Sequence, residues 1–284
     1  MKIAYLLDSS SSLKKDNELK SMSNVYYLPL SIMIDGQEHH DLDCQNGNNE
    51  LDEKIKTAKN ISTSQPTFQT IQNVLEKIKE DGYDVLVSSL LGSGLSNTQN
   101  LVYSIALEMK LTIVQLDCKG IGPMSRAAIR KFRSETAKGL SLVQAQTNVQ
   151  HMLDVSNCYG VIADVATLRK SGRISRTNAL IKSLMDVKQV VMCDKNCCGR
   201  IKGIASIRTN SKAIDRMVEE AFKNIVSKEY TFWIGHYKAE DLIEATVAAI
   251  KKRDINAKIE ILELTDTVGV HTGPHCISLM TVRN

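Results

Sequence analysis

The sequence predicts a two-domain α/β protein, with a parallel-sheet α/β domain over residues 1–155 and an α+β domain over residues 156–284. In the first half, apolar strand-like runs alternate with amphipathic helical segments, an order that places helices on both faces of a parallel sheet. In the second half, Val187–Cys193 and Arg200–Arg208 are joined by a short turn, which predicts an antiparallel hairpin. The chain of 284 residues is long enough to bury two cores.

The elements of the first domain follow from apolar periodicity and helix-start signals. The expected strands are Lys2–Leu7, Val25–Leu30, Ile32–Ile34, Asp84–Ser89 and Leu111–Leu116. The expected helices are Lys14–Met22, Pro66–Lys79, Ser96–Met109, Gly122–Lys138 and Ser141–Val155. Asp35-Gly36 is typical of a hairpin turn.

The second domain carries fewer helices and more strands. Besides the hairpin, we expect strands Cys158–Ala163, Tyr230–His236 and Ala257–Leu264, and helices Asp164–Lys170, Ser211–Ser227 and Ala239–Lys252. A further helix is expected to end at Met185, and the segment Val270–Val282 to hold a turn at His271 followed by an apolar strand.

The composition excludes several classes of function. The net charge is only +4 and the lysines are scattered, while aromatic residues make up 5% of the chain, so we expect no nucleic acid partner. No apolar run approaches the ~18 residues of a membrane span, so no stable membrane insertion is expected. The first apolar run is short and is stopped by Asp8, which is typical of a strand rather than a signal peptide, and we expect a cytoplasmic protein.

The most informative stretch is Ser88–Asn100, a loop of glycines and hydroxyls between a buried strand and a helix. Ser96 followed by Gln99 resembles a capping box, which predicts that the helix begins at Ser96. A helix start with free backbone N–H groups and serine hydroxyls attracts anions. Ser93 and Ser96 are therefore candidate anion ligands, and the loop itself contains no general base.

A second loop, Ile61–Phe68, offers the same chemistry. Pro66 suits the first turn of the helix that follows, which places Thr63 and Ser64 at a second helix N-terminus.

Metal and cofactor sites are not indicated. The cysteine spacing Cys193-x-x-x-Cys197-Cys198 lacks a second ligand pair, so reduced thiols in a turn are expected. The segment His39-His40-Asp41-Leu42-Asp43 resembles a metal cluster only superficially, and a solvated loop is expected there. A nucleotide-binding fold is disfavoured because neither a Gly-x-Gly-x-x-Gly nor a P-loop motif is present.

Several motifs occur in one order along the chain. They are Asp8-Ser9-Ser10-Ser11, Thr63-Ser64-Gln65-Pro66, Ser93-Gly94-Leu95-Ser96-x-Thr98, Leu168-Arg169-Lys170-Ser171-Gly172-Arg173-Ile174-Ser175 and His271-Thr272-Gly273-Pro274. Together they resemble the DegV family of bacterial fatty-acid-binding proteins, the fatty acid kinase B subunits, over essentially the whole chain.

The resemblance implies a function and a set of site residues. It implies a long-chain fatty acid in an apolar tunnel between the two domains, presented to a separate fatty acid kinase that makes an acyl phosphate. Thr63 and Ser96 would bind the carboxylate, and Arg173 and His271 would lie near the same head group. The protein would then be a carrier subunit in phospholipid metabolism rather than an enzyme, with no catalytic residue and no cofactor besides the bound lipid.

Two departures from the family pattern bear on the head-group site. Asn97 stands in the glycine loop where the family commonly has glycine, and asparagine tolerates a left-handed backbone. His275 replaces the glycine that closes the last motif, so the loop there loses its glycine-only conformations.

The alternative function is a serine hydrolase or phosphatase using Ser93 or Ser96 with His271 and Asp8. Members of a catalytic triad need not be close in sequence. The glycines flanking Ser93 are adjacent to it, however, which is not the spacing of a nucleophile elbow.

Overall fold

The computed structural model describes residues 1–12, 16–41, 49–174, 187–193, 195–225 and 229–283. The chain divides into two compact units, Met1–His151 with Thr265–Thr267, and Met152–Leu264 with Val268–Asn284. The division between the units falls inside the helix Leu142–Val155, at whose end the sequence placed the domain boundary. The assignment of Thr265–Thr267 to the first unit had no sequence signal.

Strands and helices alternate in the first unit, but the strands Gln37–His40 and Ile61–Ser64 and the helix Asn49–Thr57 were not predicted. In chain order they are β1 (Ile3–Asp8), α1 (Asn17–Lys20), β2 (Val25–Leu28), β3 (Ser31–Ile34), β4 (Gln37–His40), α2 (Asn49–Thr57), β5 (Ile61–Ser64), α3 (Phe68–Glu80), β6 (Val85–Ser88), α4 (Thr98–Glu108), β7 (Thr112–Gln115), α5 (Pro123–Ala137) and α6 (Leu142–Val155). A single turn of 3₁₀ helix, Ser9–Ser11, follows β1 directly.

The predicted parallel sheet is confirmed. Its strand order is β2-β1-β6-β7, and every neighbouring pair in it is parallel. The buried side chains of β1 and β6 pack with Ile71, Leu75 and Ile78 of α3, so the apolar stripe predicted for that helix faces the core. The strand order reverses between β1 and β6, and ligands of open α/β sheets bind outside the carboxyl ends of strands at such a point.

A small antiparallel sheet, β4-β3-β5, was predicted only in part. The turn at Asp35-Gly36 is confirmed, since both residues have positive φ angles and the strands on either side pair directly. The solvated loop expected at residues 39–43 is wrong in its described part, because His39 and His40 belong to β4 and Asp41 is fully buried. Leu42 and Asp43 lie outside the described residues. The helix predicted from Lys14 is shorter than expected in its described part and is capped by Asp16.

The second unit is built on one mixed sheet. Its elements are β8 (Asn157–Ile162), α7 (Val165–Lys170), β9 (Lys188–Cys193), β10 (Lys202–Ile207), α8 (Asn210–Lys223), β11 (Tyr230–Tyr237), α9 (Ile243–Lys251), β12 (Lys258–Glu263) and β13 (Cys276–Arg283). A further helix, α10 (Asp266–Thr272), begins in the segment assigned to the first unit.

The sheet order is β10-β9-β8-β13-β11-β12, and the predicted hairpin is confirmed as the antiparallel pair β9–β10. Only β11 and β12 are parallel, while the other described pairs are antiparallel. The apolar faces of α8 and α9 pack on this sheet and form the core of the unit. The helix predicted to end at Met185 and residue Ser175 lie outside the described residues.

Among the described residues, no helix combines the length and hydropathy needed to cross a membrane. In the same part of the chain, no cluster of three or more His, Cys, Asp or Glu side chains could hold a metal ion. The described cysteines are free thiols, and Cys44 falls outside the described ranges.

Candidate functional site

Three loops meet at the carboxyl edge of the parallel sheet. They are the serine loop (Ser9–Ser12) after β1, the glycine loop (Ser89–Asn97) after β6, and the third loop (residues 116–122) after β7. Parallel strands bring their carboxyl ends to one edge, so these loops are neighbours although they are distant in sequence. The N–H of Gly92 in the glycine loop donates to the carbonyl of Gly120 in the third loop at 3.0 Å.

Glycine is required where these loops touch. A Cβ on Gly122 would lie 2.2 Å from the backbone of Ser10, and a Cβ on Gly92 would lie 2.6 Å from the nitrogen of Gly120. Both contacts are to backbone, which cannot rotate away as a side chain can. The glycines therefore set how closely the three loops approach.

Asp8 ties the serine loop to the glycine loop. Its side chain is fully buried and accepts hydrogen bonds from the Ser10 N–H at 3.1 Å, the Ser10 hydroxyl at 2.5 Å and the Leu91 N–H at 2.7 Å. Burial raises the pKa of Asp8 to about 6, against the lowering effect of these hydrogen bonds, and the nearby Asp41 adds to the rise. Asp8 is thus a structural bridge between two loops.

A second buried carboxylate, Asp41, contacts the serine loop through Ser9. One of its oxygens accepts from the N–H of Thr267 at 3.2 Å, and Ser9 hydrogen-bonds to it while accepting from the N–H of Leu30 at 3.0 Å. Burial raises the pKa of Asp41, and the negative charge of Asp266 adds to that rise. Sequence reasoning missed Asp41 because the preceding histidines favoured a solvated loop.

Ser93 lies beside a charged pair that sequence reasoning also missed. Its hydroxyl donates to Asp117 at 2.5 Å and its N–H donates to the same carboxylate at 3.1 Å. The Lys119 ammonium lies 2.5 Å from Asp117 Oδ2 and 3.3 Å from the Ser93 hydroxyl. The available signal was the position of Asp117-Cys118-Lys119-Gly120 directly after a predicted strand, at the edge where ligands gather.

The helix after the glycine loop begins later than predicted. It begins at Thr98 with Asn97 as its N-cap, and no side chain caps it there. The capping box is wrong, because the Gln99 side chain accepts from the N–H of Leu90 at 3.3 Å instead of reaching back to Ser96. The Ser96 hydroxyl lies 2.9 Å from the Thr98 hydroxyl and accepts weakly from the Thr98 N–H at 3.3 Å.

Asn97 does not use a left-handed backbone. Its φ is −91° and its ψ is 4°, and its side-chain oxygen accepts from the Asn100 amide at 2.8 Å. The substitution of the family's glycine is therefore accommodated in an allowed conformation.

Thr63 and Ser64 are not at a helix N-terminus, so that expectation is wrong. Both belong to β5, where they pair with Ile32 and Ser31 of β3. The following helix is capped by Thr67, whose hydroxyl accepts from the Thr70 N–H at 3.1 Å, and Pro66 precedes the cap. Thr63 is half-buried and Ser64 is exposed.

Arg173 and His271 are brought together in the second unit. His271 lies in the last turn of α10 rather than in the glycine-proline turn, and Arg173 donates from Nη1 to the carbonyl of Ser171 at 2.6 Å. Burial lowers the pKa of His271 to about 4, and the positive charge of Arg173 adds to that effect. Burial and the neighbouring Arg200 also lower the pKa of Arg173. The imidazole is therefore neutral at pH 7, and the guanidinium carries the positive charge.

The closing motif keeps the backbone that glycine would favour. Gly273 has a φ of 73° and packs against Asp164, where a Cβ would come within 2.6 Å of the aspartate Cβ. His275 also has a positive φ, 55°, and its N–H donates to the carbonyl of Lys238 at 3.2 Å. His275 therefore adopts a left-handed backbone conformation that glycine takes without strain and that a residue with a Cβ takes at a cost.

The hydrogen bonds of the first unit offer little support for a triad. The described hydrogen bonds to the Asp8 carboxylate come from Ser10 and Leu91, and the Ser93 hydroxyl donates to Asp117. A nucleophilic serine needs a base that takes its proton, and an aspartate with a lowered pKa is a weak base for that purpose.

Comparison with known proteins identifies relatives over the full chain. The model of the family described as "Uncharacterised protein, DegV family" matches residues 2–284. A DegV domain-containing protein of Staphylococcus aureus (strain N315) is 25% identical over 277 residues, which covers 97% of each chain. A DegV domain-containing protein of Streptococcus pyogenes serotype M1 is 23% identical over 98% of each chain.

Solved structures share the fold. The crystal structure of a fatty acid binding DegV family protein from Streptococcus agalactiae matches with a TM-score of 0.86 at 23% identity, covering 100% of this chain and 99% of that one. A DegV family protein from Eubacterium eligens loaded with heptadecanoic acid matches with a TM-score of 0.82 at 15% identity, covering 99% of this chain and 100% of that one. The mixed α/β architecture of both units is thus shared with these proteins.

Proposed function

The chain belongs to the DegV family, and from that premise we propose that it binds a long-chain fatty acid. The observation that carries the proposal is the meeting of hydroxyl- and glycine-rich loops where the strand order reverses between β1 and β6. Relatives with the same fold are described as fatty acid binding, and one is loaded with heptadecanoic acid. A carboxylate is satisfied by hydroxyls, backbone N–H groups and cationic side chains of the kind found here.

The proposed carboxylate ligands are Thr63, Ser64, Ser93 and Ser96 in the first unit, and Arg173 and His271 in the second. Arg173 supplies positive charge, whereas the neutral His271 supplies a hydrogen-bond donor at pH 7 because its pKa is about 4. The Ser93 hydroxyl can donate to the carboxylate only after it turns, since its only proton is donated to Asp117.

The acyl chain would supply most of the affinity. Burying ~14 to 18 methylenes contributes roughly 0.8 kcal/mol each before the cost of ordering the ligand. The head group then needs only to be satisfied, and it selects acids over other lipids. An apolar tunnel for the chain is part of the same proposal.

We further propose that the protein is a cytoplasmic carrier without catalytic activity of its own. It would present the bound acid to a fatty acid kinase catalytic subunit, which forms the acyl phosphate used in phospholipid metabolism. The test is to combine purified protein, fatty acid, Mg·ATP and a candidate kinase subunit, and to trap acyl phosphate with hydroxylamine. Product that appears without the kinase subunit would contradict the carrier role.

Native mass spectrometry tests the binding proposal directly. We expect protein purified from a bacterial host to carry an added mass that matches a long-chain fatty acid, and stripped protein to melt at higher temperature with palmitate or oleate. A ligand-free mass together with no thermal shift would refute fatty acid binding.

Ser96→Ala tests the head-group assignment. We expect weaker retention of the acid with an unchanged melting temperature of the stripped protein, because the lost hydroxyl contributes to binding more than to the fold. Ser104→Ala is the matched control, since Ser104 is exposed on α4 and its hydroxyl donates only to the Asn100 carbonyl among its described bonds. Equal retention by both variants would remove Ser96 from the site.

The hydrolase alternative predicts turnover of an acyl or phosphoryl ester that Ser93→Ala or Ser96→Ala abolishes. We expect no such turnover, because neither the Ser93 hydroxyl nor the Asp8 carboxylate has the described hydrogen bonds that a triad requires.

A further inference from the structure

Ser93, Asp117 and Lys119 form a compact hydrogen-bonded cluster at the glycine loop. The Ser93 hydroxyl and the Lys119 ammonium both donate to Asp117 Oδ2 at 2.5 Å, and the ammonium also donates to the Ser93 hydroxyl at 3.3 Å. The Ser93 and Lys119 N–H groups both donate to Asp117 Oδ1 at 3.1 Å. Both Asp117 oxygens therefore have two donors each.

This cluster presents a difficulty for an anionic ligand at Ser93. Burial favours the neutral form of Asp117, but the hydrogen bonds from Lys119 and Ser93 outweigh it and hold the pKa of Asp117 below its ordinary value. Asp117 is therefore negatively charged at neutral pH and would repel a fatty acid carboxylate. In addition, the Ser93 hydroxyl has one proton, and that proton is donated to Asp117.

Lys119 resolves both parts of the difficulty. Its charge cancels that of Asp117, so the cluster as a whole is neutral toward an incoming carboxylate. Its ammonium bond to Oδ2 and the Ser93 N–H bond to Oδ1 keep both Asp117 oxygens satisfied if the Ser93 hydroxyl turns toward the ligand. An ammonium carries three protons, so the same group can follow the Ser93 oxygen through that rotation.

We propose that Lys119 is a specificity-determining residue, a counter-ion that allows Ser93 to donate to an anionic head group and so prevents Asp117 from excluding acids. The inference rests on the proposed fatty acid binding. Lys119 is held in place by its left-handed backbone (φ 48°) and by Gly120, whose carbonyl accepts from Gly92. Its side chain is about one-third exposed (31%), so the ammonium is within reach of a ligand at the loop surface.

The charged groups around this cluster belong to the same edge of the sheet. Asp8 accepts a hydrogen bond from the N–H of Leu91 in the glycine loop, and Asp41 is close enough to raise the pKa of Asp8. Neither is described as bonded to Lys119, and burial raises the pKa of both carboxyl groups. Lys119 and Asp117 are therefore the charged pair that faces Ser93 among the described hydrogen bonds.

The experiment compares two ligands of equal chain length, palmitate and hexadecanol, on Lys119→Met. We expect the Kd for palmitate to rise about tenfold at low salt and the rise to shrink in high salt, because an uncompensated Asp117 repels the carboxylate. The Kd for hexadecanol should change less than about twofold, since a neutral head group is not repelled. Lys119→Arg should bind palmitate like the parent protein.

The double variant Asp117→Asn/Lys119→Met is the decisive arm, because it removes both charges. We expect it to recover most of the palmitate affinity lost in Lys119→Met. Lys110→Met is the matched control, since Lys110 is also a lysine with a left-handed backbone but precedes β7 at the opposite end of that strand.

Two outcomes would overturn the inference. One is an equal loss of palmitate and hexadecanol affinity in Lys119→Met, which would indicate loop damage rather than charge selection. The other is a double variant that binds palmitate no better than Lys119→Met. Failure of fatty acid binding as such is distinguishable, because the parent protein would then bind neither ligand.

Discussion

The two units carry candidate residues of different chemistry. In the first unit, the candidate residues are hydroxyls and backbone N–H groups beside buried carboxylates and the Asp117–Lys119 pair, in loops that follow β1, β6 and β7. In the second unit, the candidate residues are a guanidinium and a buried imidazole whose pKa values are both lowered. Hydrogen bonds between loops hold the first arrangement, whereas burial shapes the second, and separate substitutions can test each of them.

The largest effect is expected from Gly122→Ala in the first unit. The added methyl group would lie 2.2 Å from the Ser10 backbone, so the serine loop or α5 must move. We expect the free energy of unfolding to fall by about 3 kcal/mol or more, and bound fatty acid to be lost. Urea titration monitored by circular dichroism measures the free energy of unfolding, and native mass spectrometry measures the bound acid.

Gly160→Ala in β8 is the control from the second unit. Its Cβ would lie 3.3 Å from the Cγ2 of Val191, a side-chain atom that can shift, and 3.6 Å from the carbonyl oxygen of Ile277, an ordinary contact distance. We expect a loss under about 1.5 kcal/mol. Similar losses for the two variants would contradict the view that backbone contact limits the loops of the first unit.

Asp8→Asn tests the carboxylate bridge through pH. The pKa of Asp8 is raised from 3.8 to about 6, so between those values the folded chain holds a proton that the unfolded chain has released. Asp8 therefore lowers the free energy of unfolding as pH rises from 4 to 6, by about 3 kcal/mol in total. Asp8→Asn should lack this contribution, so its pH profile should differ from that of the parent protein over this window. If the stability of both proteins changed with pH in the same way, Asp8 would not be a buried group whose protonation is coupled to folding.

In the second unit, His271 should change stability with pH in the opposite direction to Asp8. Its pKa is lowered from 6.5 to about 4, so the unfolded chain takes up the proton first, and stability falls as pH drops from 6.5 to 4. Titration of the imidazole by NMR should give a pKa well below 6.5. Arg173→Gln should raise it only in part, because burial is the larger cause. A return to 6.5 in that variant would mean that charge, not burial, controls His271.

The smallest effect is expected at the closing motif. His275 is held at a φ of 55°, a conformation that costs a residue with a Cβ roughly 1 kcal/mol more than glycine. His275→Gly should therefore stabilise the second unit by about that amount in thermal or urea unfolding. His275→Ala keeps the Cβ and should show no such gain, and equal effects of the two would exclude backbone strain as the cause.

The sequence predicted secondary structure better than it predicted the hydrogen-bond and strand-pairing partners of individual residues. The strands of the parallel sheet, the hairpin β9–β10 and the apolar face of α3 came from periodicity, which is a property of neighbouring residues. The capping box at Ser96 failed because the Gln99 side chain found a partner in Leu90 that the motif does not consider. Thr63 and Ser64 were assigned to a loop because the pairing of β5 with β3 depends on a strand almost thirty residues earlier.

For the candidate site, too, the sequence determined some features and the tertiary structure decided the others. The amino-acid sequence alone determined which loops follow strand ends, and it contained the motifs that identify the DegV family. Only the tertiary structure decided the partners of the polar groups, such as Asp8 with Leu91, 83 residues away, and Asp41 with Thr267, 226 residues away. Periodicity reports how a segment is buried, but a buried polar group must be satisfied by whatever donor the fold brings next to it, and that donor has no fixed spacing along the chain.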